Sequence, residues 1–137
     1  MTLVLQLIAP PSPALSGGPL VVQLNLRNVS PAAVLVPVAS GASPFEYLLL
    51  SADGATTLQT LSAHQRAMAR GRGRVPRTVL ARRELPAGQV TIYRDDVAAL
   101  LVAPLEPGLY QLEALYRAEP GPAVVRSGKV PLEVRAR

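Results

Sequence analysis

The stretch Pro107-Gly108-Leu109-Tyr110-Gln111-Leu112-Glu113-Ala114-Leu115-Tyr116 decides the fold. A Pro-Gly turn pair feeds residues whose character alternates, with Tyr110, Leu112, Ala114 and Tyr116 on one side and Gln111 and Glu113 on the other. Successive side chains of an extended chain point to opposite faces, whereas a helix groups residues three and four apart. The alternation therefore predicts a half-buried β-strand.

The same pattern recurs on both sides of this segment. Leu3, Leu5 and Leu7 alternate with Val4 and Gln6 and predict a first strand that ends at the proline-rich stretch Pro10 to Pro13. After Ser16-Gly17-Gly18-Pro19, residues Val22, Leu24 and Leu26 are expected to face a core and Gln23, Asn25 and Arg27 the solvent. Asn28, Ser30 and Pro31 turn the chain into the apolar run Ala33 to Val38, which suits a buried strand. Beyond the loop Ala39 to Pro44, a strand is expected over Phe45 to Leu50, closed by the turn pair Asp53-Gly54 and followed by another over Thr56 to Leu61. Past Pro86-Ala87-Gly88, Val90 and Ile92 alternate with Gln89, Thr91 and Tyr93. Asp95-Asp96 then predicts a cap for a helical turn through Val97 to Leu101. A last strand, Lys129 to Arg135, places Val130, Leu132 and Val134 inward.

About seven or eight short strands separated by turn signals predict an all-β fold, an antiparallel β-sandwich. Fourteen prolines and ten glycines fit it, because neither residue type suits the interior of long helices. A chain of 137 residues reads as one domain, 1–137, with an arginine-rich loop or short helix inserted at 62–84. Hydrophobic residues make up 49% and aromatics 4% of the chain, so the core is expected to be aliphatic. There is no cysteine, which excludes a disulfide framework and thiolate metal sites while leaving the compartment open. Residues 1–10 are apolar without a basic flank and break at Ala9-Pro10-Pro11, so neither a signal peptide nor a membrane span is expected, and the cytoplasm is the default location. Asn28-Val29-Ser30 matches a glycosylation acceptor by chance.

These residues carry a resemblance. Tyr110, just after the Pro107-Gly108 turn, resembles the tyrosine corner of immunoglobulin-like sandwiches, whose hydroxyl bonds back to nearby backbone. The order of strand, Asn-x-Ser turn, apolar strand, Phe-x-Tyr strand with Asp-Gly, Pro-x-Gly, strand, short turn and Pro-Gly-x-Tyr is similar to bacterial Ig-like domains that include the BsuPI-type intracellular proteinase inhibitors. The resemblance runs from about Leu20 to Val134 and rests on turn and core residues. It implies a cytoplasmic or cell-envelope binding module without a cofactor. This chain departs from the pattern in its arginine-rich middle, and no inhibitory motif carries over.

The formal charge of +5 is unevenly placed. Arg66, Arg70, Arg72, Arg74, Arg77, Arg82 and Arg83 supply seven of the fourteen positive charges, and no acidic residue lies between Asp53 and Glu84. The rest of the chain holds seven basic and nine acidic residues, a net of −2. Such a cluster attracts phosphate, carboxylate-rich surfaces or anionic lipid. Arginine binds phosphate and carboxylate in a bidentate manner, and Gly71 and Gly73 would admit close backbone approach. Nucleic-acid binding is one reading, weakened by the lack of interleaved aromatics for base stacking. A solvated loop in an arginine-biased protein, a protein or self-assembly contact, and a short helix over Ala63 to Ala69 with Met68 docked on the domain are the others.

Catalytic chemistry finds little to work with. His64 is the single histidine, which leaves no catalytic triad or paired-histidine metal site and reads as a surface residue. Asp95 and Asp96 fit capping better than an acid/base pair, and two carboxylates are too few for calcium. Gly71-Arg72-Gly73 lacks the lysine and hydroxyl of a phosphate loop. The expectation is a non-enzymatic, cofactor-free module. It would bind a protein partner or assemble with its own copies through the seven arginines, as an envelope, filament or particle component, with inhibition of a cytoplasmic proteinase and nucleic-acid binding as alternatives.

Overall fold

Ten β-strands and one 3-10 turn form in the computed structural model, which describes residues 3–38, 43–61, 82–101, 103–117 and 124–137. The strands are β1 (Leu3–Ile8), β2 (Ala14–Leu15), β3 (Val21–Asn28), β4 (Val34–Pro37), β5 (Phe45–Leu50), β6 (Thr57–Leu61), β7 (Arg82–Leu85), β8 (Val90–Asp96), β9 (Gly108–Arg117) and β10 (Val124–Arg135). They make a three-stranded sheet in the order β1-β3-β8, a five-stranded sheet β2-β10-β9-β5-β6 and a two-stranded sheet β4-β7. All pairings are antiparallel except β2 with β10, which is parallel over Ala14–Leu15.

Alternation builds the inner faces as expected. Leu3, Leu5 and Leu7 of β1 and Val22, Leu24 and Leu26 of β3 are buried, and they share one core with Phe45, Tyr47 and Leu49 of β5, Leu112, Ala114 and Tyr116 of β9, and Leu132 and Val134 of β10. The core is mainly Leu, Val and Ala, as expected, and the few aromatics are set within it. Tyr47 and Phe45 are the largest fully buried side chains, and Phe45 sets its ring 5.0 Å from Tyr93 at 75° and 5.8 Å from Tyr116. Such edge-on pairs add about 1 kcal/mol beyond area burial.

Three expectations are corrected. The strand count exceeds seven or eight because β2 and β7 have four residues or fewer, too short to show a period, whereas β4 falls within the expected run Ala33 to Val38. Arg82 and Arg83, read as the end of an inserted loop, lie instead in β7, paired with Pro37 and Val36. In β8, where the alternation is as expected and the inner face was not assigned, Thr91 and Tyr93 are buried and Val90 and Ile92 lie outside. The second face of β9 is not solvated at its centre, since Glu113 and Leu115 are also buried, Glu113 accepting a 2.6 Å bond from Nη2 of Arg126 on β10.

Candidate functional site

The outer face of the three-stranded sheet gathers what the rest of the surface disperses. Register places Val4, Arg27 and Val90 in one row across β1, β3 and β8, Gln6, Asn25 and Ile92 in the next, and Ile8, Gln23 and Arg94 in the third, with Val21 beyond. Five of these side chains are large and apolar yet exposed: Val4 50%, Ile8 40%, Val21 49%, Val90 40% and Ile92 46%. They flank a polar centre whose amides bond one another, Gln23 Nε2 donating to Asn25 Oδ1 at 3.0 Å and Asn25 Nδ2 to Gln6 Oε1 at 3.3 Å. The result is a flat, ordered surface of apolar corners around a preset amide ladder. Exposed apolar side chains gathered on one face mark an interaction site more often than the same residues scattered singly.

Its electrostatics differ from those of the five-stranded sheet. There the cations are matched locally: Arg117 to Glu46 at 3.2 and 3.3 Å, Arg126 to Glu113 at 2.6 Å, Arg135 to Glu133 at 3.1 Å, and Lys129 Nζ to the Gly54 carbonyl at 2.9 Å. On the three-stranded sheet, Arg27 reaches only the Gly88 carbonyl at 3.3 Å, and Arg94 makes no ion pair among the described residues. The carboxylate at the end of this face, Asp96, is committed elsewhere. Its Oδ1 accepts from the backbone N–H of Leu20 at 2.9 Å and of Ala98 at 3.0 Å, capping the 3-10 turn Val97–Leu100.

The face continues into a groove of about 520 Å³, lined by the segment Ala9 to Pro13 together with Ile8, Val21, Gln23, Arg94 and Arg137. Proline fixes this wall, because its ring locks φ and removes the N–H donor that would let the segment pair as a strand.

Buried polar groups account for themselves structurally. Asp95 and Asp96 are neighbours on a strand and so point to opposite faces, which separates the two carboxylates that the sequence sets side by side. Asp95 turns toward the core, where Oδ2 accepts from Ser43 Oγ at 2.5 Å and from the hydroxyl of Tyr47; only Asp96 acts as the expected cap. Burial, reinforced by the Asp95 charge, holds the Tyr47 phenol well above the usual tyrosine range, so it donates a proton to a hydrogen bond and stays neutral. Asn28, read from sequence as a turn residue, is fully buried and satisfied at every side-chain position. Its Nδ2 donates to the carbonyls of Ala32 at 2.8 Å and Leu85 at 2.9 Å, and its Oδ1 accepts from the Ser30 amide at 2.9 Å and hydroxyl at 2.7 Å. Among the described residues no group of three or more His, Asp or Glu side chains is placed to hold a metal ion.

Of the seven arginines singled out in the sequence, Arg66, Arg70, Arg72, Arg74 and Arg77 lie outside the described residues, as do His64, the Ala63 to Ala69 helix and Gly71-Arg72-Gly73. Arg82 and Arg83 are exposed on β7, and Arg83 is turned to the domain's own use, Nη2 donating to the Thr91 hydroxyl at 2.6 Å. The outer face of the three-stranded sheet escaped the sequence reading because Gln23, Asn25 and Arg27 looked like ordinary solvated residues. The available signal was that Val4 and Ile8 share with Gln6 the phase of β1 opposite Leu3, Leu5 and Leu7. Among the described residues no helix is long and apolar enough to cross a membrane. The sequence matches no protein-family model, and no curated protein matches it.

Proposed function

We propose that this chain is a non-catalytic binding module on an immunoglobulin-like β-sandwich frame, and that it docks a protein partner through the outer face of its three-stranded sheet. Three features support the frame: β3 and β8 share one sheet while β5, β9 and β10 share the other, the inner faces of both enter one core, and Tyr110 at the start of β9 donates to the Glu106 carbonyl at 2.7 Å as a tyrosine corner does. The observation that carries the binding reading is the set of five apolar side chains, 40–50% exposed, on one face whose arginines have no carboxylate partner among the described residues. A surface of that kind favours a partner with apolar side chains and carboxylates, since desolvated arginine is satisfied by bidentate acids. A second copy packed face to face would set Arg27 and Arg94 against like charges, which favours a different protein over self-assembly.

The test is paired capture from the source cells on immobilised wild-type chain, on the Val90→Thr/Ile92→Thr variant, and on Leu58→Thr, which trims an exposed side chain of another sheet. A partner retained by wild type and by Leu58→Thr, but lost with Val90→Thr/Ile92→Thr, is the expected result. Retention by all three, or a homo-oligomer of the isolated chain in light scattering, overturns the reading.

A further inference from the structure

We propose that the groove beside the proline segment is the selective pocket of this surface, and that it takes an extended peptide segment of the partner carrying an apolar side chain next to an aspartate or glutamate. The inference rests on the reading of the outer face as a docking surface and narrows it to one recognition chemistry.

Three observations define the occupant. The groove is continuous with the sheet face through Ile8 and Arg94, which stand in one register row, so a chain lying on the face leads into it. Its lining is largely apolar and partly stiff: Ile8, Val21, Pro10 and Pro11 all contribute, and a proline wall costs little further entropy when it is covered. Its volume of about 520 Å³ lies within the range of small-molecule and side-chain pockets.

Charge selects the class. Arg94 and Arg137 line the groove, and among the described residues no Asp or Glu lines it and neither arginine forms an ion pair. An apolar occupant alone would leave two guanidinium groups partly desolvated without an acceptor, which is costly. An acid alone would leave the Ile8 and Val21 walls in water. A segment that combines both satisfies the whole pocket, the carboxylate taking a planar, two-pronged contact from an arginine. The proline wall offers few N–H donors, so recognition falls to side chains rather than to strand pairing.

The experiment selects displayed random peptides on the immobilised full chain, then measures recovered peptides by fluorescence anisotropy against wild type, Arg94→Gln, Arg137→Gln, Ile8→Thr and Val90→Thr/Ile92→Thr. Recovered sequences should pair Asp or Glu with Leu, Ile or Phe. Arg94→Gln and Arg137→Gln should each weaken binding about tenfold, the size of one charge-assisted hydrogen bond. Replacing the peptide acid by its amide should cost at least as much as either substitution, and amide and substitution together should cost less than the product of their separate losses. Arg94 is exposed, so its variant is expected to keep the wild-type melting temperature, checked by circular dichroism. Selection of no peptide, of peptides without acids, or of peptides indifferent to Arg94→Gln and Arg137→Gln overturns the groove assignment. In that event, partner capture that still depends on Val90 and Ile92 leaves the docking face standing. Capture indifferent to them removes the face whatever the peptides do.

Discussion

Tyr110 and Asn28 show how differently two polar residues can be read. Tyr110 keeps its ring against the core and its hydroxyl on the Glu106 carbonyl at 2.7 Å, a role visible in sequence because the Pro-Gly turn and the alternation after it fix both its position and its face. Tyr110→Phe should lower unfolding free energy by about 1 kcal/mol, one hydrogen bond, with partner binding intact; urea denaturation measures it. Asn28 was invisible in this respect. An Asn-x-Ser turn has the same composition whether the amide is solvated or buried, and only the return of the chain at Ala32 and Leu85 supplies its acceptors. Asn28→Ala would strip four hydrogen bonds inside the domain, so a loss of about 3 kcal/mol is expected, seen as a lower denaturation midpoint.

At the scale of the element, β10 is instructive. Its second half is legible from Lys129 onward, but the register with β9 shifts between Arg126 and Lys129, and that slip reverses the phase of Val124 to Arg126. Alternation read across the bulge cancels, which is why the sequence begins the strand late. The bulge repairs its own ladder, Ser127 Oγ accepting from the buried Ala114 N–H at 2.9 Å while donating to the Gly128 carbonyl at 2.8 Å. Ser127→Ala should orphan that N–H, costing about 1–2 kcal/mol and speeding hydrogen exchange at Ala114 above its β9 neighbours. In β8, alternation alone leaves open whether Val90 and Ile92 or Thr91 and Tyr93 are buried. Tyr93 won the inner face because its ring meets Phe45 and its hydroxyl finds the Pro37 carbonyl at 2.7 Å, so the larger side chain is buried without losing its hydrogen bond.

For the whole molecule, the phenols that tie the sheets together set an alkaline limit. Burial first, then the neighbouring Tyr116, pushes Tyr93 from 10.0 to about 12, and Tyr47 is held higher still beside Asp95. A raised tyrosine binds its proton more tightly folded than unfolded. Its stabilising contribution is therefore complete below pH 10.0 and is lost as pH climbs toward about 12. Urea midpoints followed across that window should fall steadily, and Tyr93→Phe should make the fall shallower.

What the sequence determined by itself was local: alternation and turn residues placed β1, β3, β5, β6, β9 and the end of β10, the Asp96 cap and the Tyr110 corner, because these depend on residues adjacent along the chain. The tertiary structure decided which faces those strands share. It split Asp95 from Asp96, buried Asn28 and Glu113, spent Arg83 on Thr91, and assembled Val4, Ile8, Val90 and Ile92 from two distant segments into one surface. Register across a sheet is fixed by packing between residues far apart in the chain, and no pattern within one strand encodes it.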